Sequence, residues 1–348
     1  MLPPVRARVL GDTKVAVVGY PAINLVASES EESRLEVLEG AYSLQCRHWD
    51  TADIYGDSEE FIGSGKLEKT GKREDIFLAT KFGIVLDSGG MTWSVNGTPE
   101  YAEQQLQRSL ERLSVEYVDL WYLHRTDELV PIEVTVKAMA KQVAAGKVKH
   151  LGLCEVTALT LRRAHAVHPI TAVQIQFSPL ALDIEHTGLL ATARELGVAI
   201  VAYNAHSRLG RGLLSCNVGS QKSLEDLDAH DGRRLDPRFS AEHFPAVLAA
   251  LDGVRAIADA HGATPSQVAI AWVLAQGEDV LVLPGATTPK KIKDNMRAAR
   301  IELTPEEVDE IRELAKTANA PRKQQPYGPL EPVPETPLLD ESGDCVVT

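Results

Sequence analysis

Three short stretches each end on a polar side chain. Asp50 closes Cys46-Arg47-His48-Trp49-Asp50, Lys81 follows Phe77-Leu78-Ala79-Thr80, and His124 follows Leu120-Trp121-Tyr122-Leu123. Tyr55 lies five residues beyond Asp50, just before Gly56, so strand, loop and phenol follow one another directly. These four types suit proton delivery to an oxygen. A phenol with its ordinary pKa of ~10 exchanges protons poorly at neutral pH. An ammonium beside it lowers that value, and a carboxylate keeps the ammonium charged and oriented. An imidazole then donates a hydrogen bond to the same oxygen and steers it against developing charge. Taken singly, Asp50 is a turn or cap residue, Tyr55 a half-buried packing residue, Lys81 a solvated strand end and His124 a core histidine. Joint occurrence at strand ends carries the reading.

The elements that position these groups repeat along the chain. Nearly continuous apolar strands end near Ile23, Asp50, Lys81, His124, Glu155, Ser178, Asn204 and Gly285, with amphipathic helices between them. Parallel sheets covered on both faces have this pattern, in either a closed barrel or an open doubly wound sheet. Helix starts are marked at Ser28-x-x-Glu31, Thr98-Pro99-Glu100, Pro131, Thr264-Pro265-Ser266-Gln267 and Thr304-Pro305-Glu306-Glu307. Before the first strand, the runs Val5 to Leu10 and Lys14 to Val18 flank Gly11-Asp12, a hairpin signal. Cys216 to Ser240 is polar and irregular, long enough for a functional flap or ordered crossing loop. Beyond Ala320 the chain turns Pro-rich and acidic, which predicts an extended or disordered tail over 321–348 that the fold does not need.

Composition removes several classes. The 348 residues carry 36 basic and 49 acidic side chains, a formal charge of −13, so no broad nucleic-acid or acidic-membrane surface is expected. The four cysteines lack paired spacing, which predicts no metal site and reduced thiols in the cytoplasm. Neither a signal core nor a run of membrane-spanning length is present.

Asp50-Thr51-Ala52-Asp53-Ile54-Tyr55-Gly56, Ala79-Thr80-Lys81-Phe82-Gly83 and Tyr122-Leu123-His124-Arg125, in this order, resemble the signature of the aldo-keto reductases. The likeness continues through Gly146 to Leu153, Ala172-Val173-Gln174, Ala202-Tyr203 and Leu283-Pro284-Gly285 to Asn295. It implies an α/β fold, a (β/α)8 TIM barrel over residues 1–320 with the N-terminal hairpin closing its bottom. It also implies a catalytic tetrad of Asp50, Tyr55, Lys81 and His124, and NADPH-dependent reduction of a small-molecule aldehyde or ketone, reversible in principle. A nicotinamide-binding regulatory subunit of the same fold is the alternative. The NADPH/NADP+ contacts it implies are Ile23, Asp50, Cys154, Glu155, Gln174, Tyr203, Leu209, Gly210, Gly285, Thr287, Lys290, Lys291, Asp294 and Asn295. His124 is also the implied substrate contact, and Trp93, on the glycine-containing loop after Lys81, reads either as a substrate wall or as an anchor for its own loop. The chain departs from the family pattern at Pro21-Ala22 in the first strand, at Cys154-Glu155 after the fifth, in a longer 204–212 loop, and in lysines at 290 and 291 where an arginine is usual. Hydroxyls and lysines at a helix start suit a phosphate, because the macrodipole there disfavours cations left alone.

Overall fold

Short strands with no polar alternation need cover on both faces, and a closed parallel barrel inside a ring of helices provides it. The computed structural model describes residues 5–25, 30–64, 72–87, 92–203, 240, 242–317, 333–339 and 345–346. Leu209, Gly210 and the irregular stretch beginning at Cys216 lie outside the described residues.

The chain opens with the expected hairpin, β1 (Ala7–Leu10) and β2 (Thr13–Ala16), paired antiparallel. Gly11 turns it at φ +66, and a Cβ there would lie 2.4 Å from the His150 ring, so glycine is required by conformation and by space. Leu10 and Val15 pack with Phe77, Ala79, Leu120 and Leu281 inside the barrel, which closes its bottom. Arg8 fastens the hairpin by donating to the carbonyls of Val280 and Leu274.

The barrel strands are β3 (Tyr20–Pro21), β4 (His48–Asp50), β5 (Phe77–Phe82), β8 (Val118–Leu123), β9 (Val148–Cys154), β10 (Ile170–Gln176), β11 (Ala199–Tyr203) and β12 (Val280–Leu283). Between β5 and β8 a small antiparallel hairpin, β6 (Ile84–Leu86) and β7 (Trp93–Val95), rises from the loop after Lys81. The eight barrel strands pair in chain order, all parallel. A Val18–Val282 bridge joins the last to the first, with Gly19 N donating to Val282 O at 2.8 Å. The first strand is shorter than expected. Pro21 cannot extend the ladder, and Ala22–Asn24 coil into a 3-10 turn.

The helices are α1 (Glu31–Ser43), α2 (Ser58–Gly63), α3 (Pro99–Leu113), α4 (Ile132–Ala144), α5 (Ala158–Val167), α6 (Asp183–His186), α7 (Leu189–Glu195), α8 (Phe244–Ala260), α9 (Pro265–Ala275), α10 (Pro289–Ala298) and α11 (Pro305–Thr317). Thr98 caps α3 and Thr264 forms the full capping box of α9, as the sequence predicts. The α1 cap differs: Ser30, not Ser28, accepts the Ser33 N–H, and Val37, Leu38 and Ala41 form the buried face. Two helices, α6 and α7, lie between β10 and β11, parted at Gly188 with φ +77.

Part of the C-terminal tail is docked. Residues 333–337 lie against the N-terminal ends of α4 and α5, and β13 (Leu338–Leu339) pairs antiparallel with β14 (Cys345–Val346). Helix α4 begins after Pro131, which has no side chain to cap it. Thr336, 4% exposed, fills that role from 204 residues away by accepting the Ile132 N–H at 3.3 Å. Arg163 of α5 donates to Thr336 Oγ1 and O, both at 2.9 Å, while holding Glu133 of α4 at 2.8 Å. Glu335 accepts from Thr160 at 2.6 Å. Thr336→Val should therefore lower stability by about 1–2 kcal/mol, the cost of a lost cap and an unpaired buried donor, read as a shift in the urea midpoint at constant slope.

Candidate active site

The carboxyl ends of parallel strands open toward one mouth, and the sequence puts its polar groups there. Asp50 ends β4, Lys81 stands next to last in β5, His124 follows β8, Cys154 ends β9, Gln174 lies in β10 and Tyr203 ends β11. The register brings them level: Asp50 pairs with Ala79, Lys81 with Tyr122, Gln174 with Cys154 and Tyr203 with Leu283. Tyr55 reaches the mouth from a tight turn in which its N–H donates to Ala52 O and Asp53 N–H donates to Lys81 O, both at 3.1 Å. Ser58 anchors the far end of that turn, 2.8 Å from Thr51 Oγ1 and donating to Ala22 O at 3.2 Å.

All four predicted catalytic groups come together. The Lys81 side chain is 0% exposed, donates to Asp50 Oδ1 and to Thr51 O at 2.7 Å, and stands 3.5 Å from the Tyr55 hydroxyl. The other Asp50 oxygen accepts the Gln174 amide at 2.8 Å. Burial opposes the charge on Lys81, but Asp50 and the Tyr55 hydroxyl outweigh it and hold the ammonium above its ordinary range. Tyr55 departs from the expectation of a lowered phenol. Burial is the larger influence and raises it, and Lys81 only offsets part of that rise. The phenol therefore keeps its proton at neutral pH. The His124 ring lies 5.9 Å from that of Tyr55 at 79°. Burial, then Lys81 and Arg125, push its pKa well below the ordinary histidine value, so it is a neutral imidazole with one N–H to give. Its Nδ1 is sealed from solvent without a hydrogen-bond partner among the described residues.

Beside this tetrad stands a second buried group. Glu155 takes a left-handed conformation at φ +49, uncommon for a non-glycine residue, and its Oε1 accepts from Gln176 N at 2.8 Å and Tyr203 OH at 2.7 Å. Arg125, 5% exposed, donates to His124 O at 2.7 Å and balances Glu155 electrostatically. Sequence reasoning did not single out Arg125. Its signal was its place directly after His124. Cys154 is buried among the same charges, its thiol pushed up to about 12 first by burial.

The remaining predicted contacts divide. Gly285 and Thr287 form the turn between β12 and α10, where Thr288 caps the helix by accepting the Lys291 N–H at 3.2 Å. Lys290 and Lys291 are exposed there, and Lys291 Nζ donates to Thr287 Oγ1 at 3.0 Å. Asn295 is 7% exposed and uses its amide N–H on Pro284 O and Gly285 O, so it shapes this turn from behind. Asp294 is part-exposed on α10, Ile23 half-buried beyond β3 and Trp93 half-exposed on β7. Among the described residues no cluster suits a metal ion and no helix is long and apolar enough to cross a membrane.

Comparison with known proteins agrees with this geometry. The family model described as "Aldo/keto reductase family" matches residues 21–316. An aldo-keto reductase of Strobilurus tenacellus is 47% identical, the alignment covering 91% of this chain and 94% of that one. One of Schizosaccharomyces pombe whose name carries NADP(+) is 39% identical, covering 92% and 94%. Among solved structures, a glycerol dehydrogenase from Gluconobacter oxydans superposes with a TM-score of 0.78 at 27% identity, covering 88% and 94%. A holo-form aldo-keto reductase from Bacillus halodurans gives 0.74 at 25%, covering 90% and 97%. With a family match from the first barrel strand through the last helix and an ammonium, carboxylate, phenol and imidazole gathered at the barrel mouth, the chain belongs to the aldo/keto reductase family of oxidoreductases acting on carbonyl and CH–OH groups.

Proposed function

We propose that the protein reduces an aldehyde or ketone to an alcohol with NADPH, Tyr55 giving the proton to the carbonyl oxygen. The observation that carries this is the buried Lys81 ammonium held between Asp50 and the Tyr55 hydroxyl. A proton donor must be charged with its proton before reaction and must leave a stable anion behind. Burial keeps the Tyr55 phenol protonated, and Lys81 lies where the negative charge appears once the proton has gone. Asp50, fixed by Gln174 and by Lys81 itself, keeps that ammonium oriented. His124, neutral, donates from Nε2 to the carbonyl oxygen and holds it toward Tyr55. No observation favours a regulatory subunit without turnover, because no member of the tetrad is missing or displaced.

The residues at the mouth fit NADP(H). Bound NADPH supplies the hydride to the carbonyl carbon. Ile23, Asp50, Cys154, Glu155, Gln174 and Tyr203 are assigned to its nicotinamide end, and Leu209 and Gly210 to its pyrophosphate. The strained backbone at Glu155 supports a ligand-facing role, since such conformations persist where function holds them. Gly285, Thr287, Lys290, Lys291, Asp294 and Asn295 are assigned to the adenosine end. There the exposed lysines crowd a helix start whose dipole already repels them, and a phosphate relieves that conflict. His124 and Trp93 are assigned to the substrate.

Tyr55→Phe should cut carbonyl reduction by about a hundred- to ten-thousand-fold, the range of a lost general acid, while NADPH still quenches tryptophan fluorescence over the parent's concentration range. Wild-type turnover in this variant would remove Tyr55 from its role. Changing both Lys290 and Lys291 to Ala should weaken NADPH roughly ten- to hundred-fold, as loss of a charge-assisted hydrogen bond implies, and leave NADH nearly unaffected. Equal losses for the two cofactors in the same titration would show that the lysines do not read the 2′-phosphate.

A further inference from the structure

Helix α1 turns one face inward, and a charge stands in it. Arg34 lies on the buried side with Val37, Leu38 and Ala41, at the spacing of one helical stripe, and is 6% exposed. A guanidinium taken this far out of water needs partners that meet it. Three parts of the fold do so. Nη1 pairs with Asp57 Oδ2 at 2.8 Å, Nη2 donates to Leu25 O at 3.2 Å, and the guanidinium carbon lies 3.8 Å from the centre of the Phe61 ring of α2.

Two of these partners belong to the mouth of the barrel. Leu25 follows the 3-10 turn Ala22–Asn24, which continues β3 and carries Ile23. Asp57 is the third residue of the turn that begins at Tyr55, which Ser58 N–H closes by donating to Tyr55 O at 3.1 Å. Gly56 between them sits at φ +57 and has no side chain, so it does not hold the phenol in place by itself. The ties on either side of it do. On the near side Tyr55 N–H donates to Ala52 O, and on the far side Ser58 sets the depth of the turn through Thr51 and Ala22 O. Asp57 adds the one ion pair. It stands at the cap position of α2 yet makes no cap bond, so its carboxylate serves Arg34 and not the helix.

We propose that Arg34 is a positioning residue for Tyr55: the two prongs of its guanidinium clamp the Tyr55 turn to the end of the first barrel strand and so fix the phenol beside the Lys81 ammonium. The role rests on Tyr55 as the proton donor. What the clamp requires is a fork and not only a charge. A planar guanidinium holds a carboxylate and a carbonyl at once and stacks on an aromatic face, whereas an ammonium is a point donor on a flexible stem.

Arg34→Lys therefore keeps the charge and most of the buried stem but loses the clamp. With NADPH bound and an activated aromatic aldehyde in excess, the single-turnover rate of NADPH oxidation should fall roughly ten- to hundred-fold, the cost of a reacting group displaced by about an ångström. The solvent deuterium isotope effect on that rate should grow, because proton delivery is the step that slows. The NADPH concentration needed for tryptophan quenching should shift far less than the rate. Asp57→Ala changes the wetter half of the pair, 39% exposed, and removes no cap, so it decides the matter if the lysine variant does not fold. Its rate should fall in the same direction. A lysine variant that reacts at the parent's rate shows that Arg34 supplies only charge and packing, and it overturns the proposal. So does a loss carried wholly by NADPH affinity, or an Asp57→Ala protein at the parent's rate. A parent that reduces no carbonyl overturns the proton-donor reading and the clamp with it, whereas an active parent with unaffected variants overturns the Arg34 role alone.

Discussion

The interaction on which the mouth of the barrel depends is the buried contact between the Lys81 ammonium and the Asp50 carboxylate. An ion taken out of water at this depth is costly, and attraction to one partner repays that cost only if the remaining hydrogen-bonding capacity is also met. Here it is met from three directions. Thr51 O takes a second Lys81 N–H, Gln174 satisfies the second Asp50 oxygen, and the Tyr55 hydroxyl lies at the edge of the ammonium. Each partner comes from a different strand end or loop, so the pair is stable only where β4, β5 and β10 are in register. Closure of the barrel and the charge state of its centre are in this sense one constraint.

The same logic repeats at both ends of the barrel. Asp119 of β8 is met by Arg73 at 2.9 Å and Lys149 at 2.8 Å, and Glu155 by Tyr203 and a backbone amide. Removing one partner from such a group leaves a buried charge uncompensated, and the loss exceeds what the pair itself contributes. The barrel thus tolerates polar groups inside its walls because strands adjacent in the sheet are distant in sequence and deliver partners at fixed heights. The interior cluster that includes Leu10, Val15, Leu120, Val201 and Leu281 is mainly apolar and is filled by shape.

The strand ends were legible because their signals are local. A polar residue closing an apolar run marks Asp50, Lys81 and His124 without knowledge of what lies opposite, and Gly56 and Gly83 follow the first two. Capping signals were legible for the same reason, with a slip of two residues at Ser30 because two serines stand near that helix start. What escaped were quantities set by distant neighbours. The net direction of the Tyr55 shift depends on how much protein closes over the phenol, and a motif shows the lysine but not the burial. Arg125, Arg112 and Glu59 acquire their meaning only from partners across the fold, and the break between α6 and α7 follows from a left-handed turn at Gly188 that the surrounding sequence does not require.

The docked C-terminal segment has a consequence for the order of events during synthesis. The start of α4 receives its cap from a residue made 204 positions later, so at ordinary translation rates of ~5–20 residues per second this helix waits roughly 10–40 s for the group that completes it. Until then the Ile132 N–H lacks this acceptor and Arg163 keeps only its bond to Glu133. The barrel can therefore close before its wall is sealed, and residues 333–337 complete the side of the barrel on which its chemistry stands.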